Sequence, residues 1–194
     1  MLPWLVVGLG NPGPTYAGHR HNVGFLVVEE LASRSGGRFA APRGIRAELA
    51  EIRLGAPGTD APRLGLMKSR SYMNETGGPV SGLLKYFKIE PDRLVVVHDE
   101  LDIDPGQLRV KFGGGDNGHN GLKSIRRSLG TGDFFRVRVG VGRPPGRQDP
   151  ADFLLSNFAA RDRDGLAVEV VRAADAVESL VQDGLERTQS AFNS

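Results

Sequence analysis

The sequence predicts a three-layer α/β/α globular domain built on a twisted, mixed and mostly parallel sheet. Three observations carry that expectation. Short β-branched or alternating segments recur between Gly, Pro and Asp residues. Stretches of helical period separate several of them. A chain of 194 residues, 39% hydrophobic, is also long enough to bury one core. We expect a single domain over residues 1–194, with no internal repeat and no low-complexity segment.

In chain order, Trp4 to Leu9 is the first strand, an apolar run leading into a Gly- and Pro-rich loop. Asn22 to Ser35 has a helical pattern. Glu48 to Leu54 and Leu64 to Lys68 read as the next two strands, and Thr76 to Phe87 as the second helix. Leu94 to His98 is uniformly apolar up to its histidine, the signature of a strand buried on both faces. Gln107 to Phe112 and Phe135 to Val141 complete the strands, with a helix from Asn120 to Leu129 between them. Pro144, Pro145, Gly146 and Pro150 mark a loop into the C-terminal helical region. There Arg163 to Ser190 carries Leu166, Val170, Ala173, Val177, Leu180, Val181 and Leu185 near helical spacing. In such a domain ligands gather beyond the carboxyl ends of the strands.

Composition narrows the chemistry. The absence of cysteine excludes disulfides, thiol catalysis and Cys-based zinc sites, so a nucleophile must be oxygen, nitrogen or water. No apolar run approaches the ~20 residues of a membrane span, and the first residues read as a strand rather than a signal peptide. We expect a cytosolic protein. The net charge of +2 conceals an asymmetry: residues 106–148 hold nine basic residues against Asp116 and Asp133. That segment predicts a polyanion site on one face.

Gly8-Leu9-Gly10-Asn11-Pro12-Gly13 matches a dinucleotide-binding fingerprint, but the match fails physically. Pro12 and Pro14 each remove an N–H, and no helix begins within the glycine turn to meet a pyrophosphate. Glu29 and Glu30, at about the distance of a ribose-binding acid, fall inside the helix. We expect no cofactor. The segment reads instead as a rigid loop whose glycines allow close approach of a substrate, with Asn11 offering an amide.

Four histidines, His19, His21, His98 and His119, lie in loops or at element ends. Histidine is the side chain whose ordinary pKa, ~6.5, suits proton transfer near neutrality, and a carboxylate partner fixes its tautomer. Asp99, after the Leu94 strand, is the favoured partner, with Glu100, Asp102 and Asp104 as rivals on the same loop. No G-x-S-x-G elbow is present, so water is the better nucleophile. His19, His21, His98, Asp99 and His119 also form a conceivable metal set, although their spacing matches no established zinc signature.

Residues Gly8 to Phe25, GLGNPGPTYAGHRHNVGF, and Gly113 to Ser124, GGGDNGHNGLKS, closely resemble the two signatures of the bacterial peptidyl-tRNA hydrolase family. Met73-Asn74 and His98 to Asp102 fall between them in the family's order, and the resemblance runs from about Leu5 to Phe192. His19 stands where the family usually has threonine. The resemblance implies cleavage of the ester joining a peptide to the 3′ ribose of tRNA. By position it makes His21 the general base, Asp99 its orienting carboxylate and Asn11 a contact to the scissile region. It also implies that Asn74 contacts the peptide end, that Tyr16 and Met73 line the cleft, and that Asn120 holds the peptide backbone or the attacking water. Lys111 and Arg138 would clamp a tRNA phosphate. It implies no metal, no membrane association, no obligate protein partner and a monomer. Two other readings remain open: a tRNA- or ribosome-binding module without catalysis, and a metal-dependent esterase.

Overall fold

The protein is described by a computed structural model over residues 2–56 and 58–193; Met1, Pro57 and Ser194 lie outside the described residues, so both bounds of the expected domain do too. The strands are β1 (Trp4–Gly8), β2 (Ala47–Arg53), β3 (Arg63–Ser69), β4 (Leu94–Glu100), β5 (Leu108–Phe112) and β6 (Phe135–Gly140). They form one six-stranded sheet in the order β2-β3-β1-β4-β6-β5. The four central strands run parallel, and β2 and β5 pair antiparallel at the two edges. The helices are α1 (Val23–Arg34), α2 (Gly77–Phe87), α3 (Asn120–Leu129), α4 (Pro150–Leu154), α5 (Arg163–Asp183) and α6 (Leu185–Phe192).

Strand alternation sorts the core into two layers. Val95, Val97, Val137 and Val139 pack with Val27 and Leu31 of α1 and with Ala173, Val177 and Leu180 of α5. Leu94 and Val96 face the other way, toward Val80, Leu83 and Leu84 of α2 and Leu122 and Ile125 of α3. The sheet therefore lies between two helical layers, as the periodicities predict.

One close approach fixes the position of α1. A Cβ on Gly8 would lie 2.2 Å from the Gly24 carbonyl oxygen, and one on Gly24 would lie 2.4 Å from the Val97 carbonyl oxygen. Glycine at both positions lets the first turn of α1 sit directly on β1 and β4. The turn that carries His21 is thereby brought against the carboxyl end of β4.

The expected helix from Arg163 to Ser190 is broken at Gly184, which adopts φ 89 and ψ 173. Leu185 continues the apolar spacing across the break, which is why the sequence reads as uninterrupted. The break turns α6 back onto β5. There Asn193 accepts from the Val110 N–H at 2.7 Å and donates to its carbonyl at 3.1 Å, occupying polar groups of an edge strand. No described helix is long and apolar enough to cross a membrane.

Candidate active site

The loop after β1 is held by amide cross-links. Leu9 N–H extends the sheet to the Val97 carbonyl at 3.0 Å. The Asn22 side chain then brackets Asn11, accepting from its N–H at 2.9 Å and donating to its carbonyl at 2.9 Å. Asn11 Oδ1 accepts the Met73 N–H at 2.7 Å. Because that donor is backbone, the bond fixes the amide orientation and leaves Asn11 Nδ2 as the free donor. His21 lies on a turn of 3-10 helix, Arg20–Asn22, just ahead of α1. Arg20 anchors that turn: its guanidinium donates to Ser156 Oγ at 2.6 Å and to the Asn157 carbonyl at 2.9 Å, and it stacks on the Phe153 ring at 4.1 Å.

Asp99, the sixth residue of β4, is buried and receives one imidazole on each oxygen. His21 Nδ1 lies 2.8 Å from Oδ2, and His119 Nε2 lies 2.9 Å from Oδ1. His119 Nδ1 also accepts the Gly121 N–H at 3.1 Å, capping α3. Its other nitrogen must therefore carry the proton and donate to Asp99. Burial alone would push the Asp99 carboxyl up, but the two imidazoles, through charge and hydrogen bonds, hold it well below the usual carboxylate range. With Asp99 ionised, His21 Nδ1–H donates to it and Nε2 keeps a free lone pair. His98, beneath them, donates from Nδ1 to the Asp99 carbonyl at 2.8 Å. Burial, and then the neighbouring His119, lower its pKa to about 3, so it is neutral.

The same geometry tests the metal reading. Ligand atoms of His21, Asp99 and His119 lie within 4.8 Å of one another. Each imidazole nitrogen, however, faces a carboxylate oxygen at hydrogen-bond distance, and His119 Nε2–H has no lone pair to give a cation while Nδ1 accepts from Gly121. His19 stands apart, edge-on to Tyr16 with centroids 5.5 Å apart. The arrangement fits protons better than a metal ion.

The glycine-rich loop before α3 is held by charged groups. Arg136 donates to the carbonyls of Gly114 at 2.8 Å, Gly132 at 3.0 Å and Gly115. Arg126 pairs with Asp116 at 2.8 Å. Asn117 donates to Glu100 Oε1 at 2.7 Å and to Asp102 Oδ2 at 2.6 Å. Arg136 is fully buried, so this member of the basic segment is an internal loop anchor rather than part of a surface.

Lys111 pairs in register with Arg136, and Arg109 with Arg138, so all four side chains share one face of β5 and β6. Burial lowers the Lys111 pKa, and the nearby Arg138 and Arg136 charges lower it further. Burial likewise lowers that of Arg138, against the opposing pull of Glu100. These two half-buried cations lie at one edge of the site.

Of the residues singled out from sequence, His21, Asp99 and Asn11 come together in one hydrogen-bonded assembly with the Met73 backbone. The Met73 side chain is buried; a Cβ on the adjoining Gly121 would touch its sulfur and the His119 ring. Tyr16 meets Tyr72 edge-on at 6.0 Å. Asn74 and Asn120 are exposed and make no side-chain hydrogen bond among the described residues; each is the chain neighbour of a residue in the assembly, Met73 and His119. Sequence reasoning missed Asn22, Arg20 and the role of His119. A repeated signal was present: His21-Asn22 and His119-Asn120 each put the same pair at the start of a helix.

Known proteins give the same constellation a context. The sequence profile described as Peptidyl-tRNA hydrolase matches residues 5–194. A peptidyl-tRNA hydrolase from Cutibacterium acnes is 58% identical, over 98% of this chain and 98% of its own length. One from Streptomyces coelicolor is 57% identical, over 99% of this chain and 96% of its own. The solved structure of peptidyl-tRNA hydrolase from Acinetobacter baumannii superposes with a TM-score of 0.89 at 31% identity, over 100% of this chain and 97% of that one. The chain belongs to the peptidyl-tRNA hydrolase family.

Proposed function

We propose that this chain, as a monomeric single-domain enzyme of the cytosol, hydrolyses the ester between a peptide and the 3′ ribose of tRNA. The observation that carries the reading is the 2.8 Å contact of His21 Nδ1 with a buried, ionised Asp99. It leaves the Nε2 lone pair available as the base. His21 Nε2 takes a proton from water as the water oxygen attacks the ester carbonyl, and Asp99 stabilises the imidazolium that forms. The Nδ2 amide of Asn11 donates to the carbonyl oxygen as it becomes an oxyanion. Collapse of the intermediate expels the ribose oxygen, which takes the proton from His21, giving tRNA and the peptide carboxylic acid, whose remaining water-derived proton passes to solvent to leave the carboxylate. His119 donates to the second Asp99 oxygen, which keeps the first one facing His21. Asn74, Asn120, Tyr16 and Met73 line the peptide side of the cleft.

Lys111 and Arg138 hold a phosphate of the acceptor stem. The Arg138 charge, which after burial is the next cause of the lowered Lys111 pKa, is offset when an anion lies between the two cations. The test is release of tRNA from N-blocked aminoacyl-tRNA, with and without chelator, by the wild type and His21→Ala. We expect chelator-resistant release and a loss of about 10² to 10⁴ in the variant. No release by the wild type would leave only a binding module. Chelator-sensitive release would favour the metal esterase, and undiminished turnover by His21→Ala would remove the proposed base.

A further inference from the structure

We propose that Arg20 is a positioning residue for the base, and that residues 149–158, which lie outside the assembly of His21, Asp99 and Asn11, belong to the apparatus that aims His21. Arg20, His21 and Asn22 make one turn of 3-10 helix, in which successive side chains point about 120° apart. Each therefore reaches a different part of the molecule: Arg20 the segment after α4, His21 the carboxylate of Asp99, and Asn22 the backbone of Asn11. The base is the middle leg of three, and both of its chain neighbours are tethered.

Local structure does not hold this turn. Neither His19 ahead of it nor Asn22 ahead of α1 makes a side-chain capping bond, and no acidic residue lies in either first turn. Arg20 is itself unfavourable there, because a cation ahead of a helix faces the positive end of the helix dipole. Contacts across the chain account for it. Besides the Ser156 hydroxyl and the Asn157 carbonyl, Arg20 Nη1 donates to the Ser156 carbonyl at 3.3 Å, and the guanidinium lies 5.4 Å from the Phe158 ring centroid as well as over Phe153. The backbone joins in: Arg20 N–H donates to the Ser156 carbonyl at 3.0 Å, and His19 and Asn157 form an isolated antiparallel bridge. A Cβ on Gly18 would lie 2.9 Å from Asn157 Oδ1. Three consecutive residues thus lie against Ser156 and Asn157, and His21 is the next.

The opposing segment is built to receive the latch. Asp149 caps α4 through the Ala151 N–H at 2.8 Å, and Ser156 Oγ donates to the Phe153 carbonyl, so its proton is spent and its oxygen is left to accept from Arg20. Burial lowers the Arg20 pKa against the pull of Asp162, as befits a cation partly withdrawn from water onto these oxygens. A lysine ammonium could meet one of the oxygens but could not reproduce the planar cation over the ring. The consequence falls on the chemistry, since misplacing a reacting group by about 1 Å can cost about 10²-fold in rate. With the Arg20 tether cut, the turn pivots on Asn22, and His21 Nδ1 no longer keeps a constant distance from Asp99. The proposal rests on the peptidyl-tRNA reading only for the activity that it measures.

The test compares Arg20→Ala, Arg20→Lys and Ser156→Ala with the wild type, each first shown to unfold cooperatively. One readout is kcat and KM for release of tRNA from N-blocked aminoacyl-tRNA. The other is the proton NMR signal of each imidazole N–H bonded to Asp99, assigned with His21→Gln. For Arg20→Ala we expect kcat to fall about tenfold or more with KM within about twofold. The His21 N–H signal should broaden while that of His119 persists. Arg20→Lys and Ser156→Ala should fall between, and added guanidinium ion should restore part of kcat to Arg20→Ala and none to Ser156→Ala. A wild-type kcat in Arg20→Ala would overturn the proposal, as would a lowered kcat with both imidazole signals intact. Loss of both signals together would also overturn it, by showing a general structural role. Should Arg20→Ala fail to fold, wild-type kcat and signals in the two milder variants would do the same. Absence of tRNA release by the wild type would sink the hydrolase reading, and the imidazole signals would still decide the latch.

Discussion

Two loops deliver histidines to the same carboxylate, and they are built on opposite principles. The loop of residues 9–22 is held through neutral partners: Asn22 brackets Asn11, Asn11 takes the Met73 N–H, and the Arg20 guanidinium at its end bonds only to a hydroxyl and backbone carbonyls. The loop of residues 113–119 is held by ions, with Arg136 on its carbonyls, Asp116 paired to Arg126, and Asn117 between Glu100 and Asp102. Gly113, Gly114, Asn117 and Gly118 in the second loop have positive φ, whereas Gly13 alone does so in the first. The first loop carries the proposed base and oxyanion donor and is stabilised by short-range contacts that neither salt nor pH alters near neutrality. The second carries a supporting histidine and is tied to charges, some of them at the surface. The difference assigns precision to one loop and adjustability to the other.

The largest expected effect breaks the first loop. Asn22→Ala leaves the Asn11 N–H and carbonyl buried without partners, at about 1–3 kcal/mol each. Denaturant unfolding should show a loss of roughly 2–6 kcal/mol, and tRNA release should fall with it. Asn22→Asp keeps the acceptor for the Asn11 N–H and lacks the donor, so it should fall between. A stability of Asn22→Ala equal to the wild type would mean that the bracket does not hold the loop.

A smaller, local effect is expected in the second loop. Arg136→Met replaces a buried cation by an apolar chain of comparable length, which removes the desolvation cost of the charge together with its hydrogen bonds. The carbonyls of Gly114, Gly115 and Gly132 lose their donor, however. Amides of residues 113–119 should exchange about tenfold faster, a local opening cheaper by about 1.4 kcal/mol. Those of residues 9–22 should keep wild-type protection. Equal acceleration in both loops would show that they open as one unit and would erase the contrast.

The same contrast explains what the sequence conveys. All six strands, α1, α2 and α3 follow from periodicity and turn residues, because those signals are local. The break at Gly184 is hidden because Leu185 keeps the spacing on both sides of it. The resemblance picked out His21 and Asp99 as a pair, but their separation depends on Gly8 and Gly24 letting α1 sit on the sheet, a contact between segments that propensity does not describe. Arg136 looked like a surface cation among eight others. Nothing local distinguishes it from Arg138, which pairs two residues along the same strand and remains half exposed. His119 is a candidate in the sequence but its bond to the second Asp99 oxygen is not legible there, nor is the bracket of Asn22 on Asn11 eleven residues away, since both depend on the folded path of the chain.

The last prediction concerns the junction beneath both loops, and it is the smallest at neutral pH. His98 supports Asp99 from below and meets the His119 ring at 5.1 Å, so it touches the side of the assembly that faces the ionic loop. Its folded pKa, about 3, lies below the ordinary ~6.5 of an unfolded histidine. The unfolded chain therefore binds a proton that the folded chain rejects. The stability tied to neutral His98 is fully present above about pH 6.5 and is lost as pH falls toward 3, by about 1.4 kcal/mol per pH unit. Asp99, held well below its ordinary value, acts at lower pH: its contribution is present above about 3.9 and is lost on further acidification. His98→Asn keeps a donor for the Asp99 carbonyl and has no proton to gain. Its unfolding free energy should follow the wild type at neutral pH and decline less steeply between about pH 6 and 4. Parallel curves would show that His98 does not set the acid limb. Hydrogen exchange at pH 5 adds the comparison of loops: protection lost first in residues 113–119, on the side that His98 touches, fits acid entering through His98, and loss beginning in residues 9–22 would contradict it.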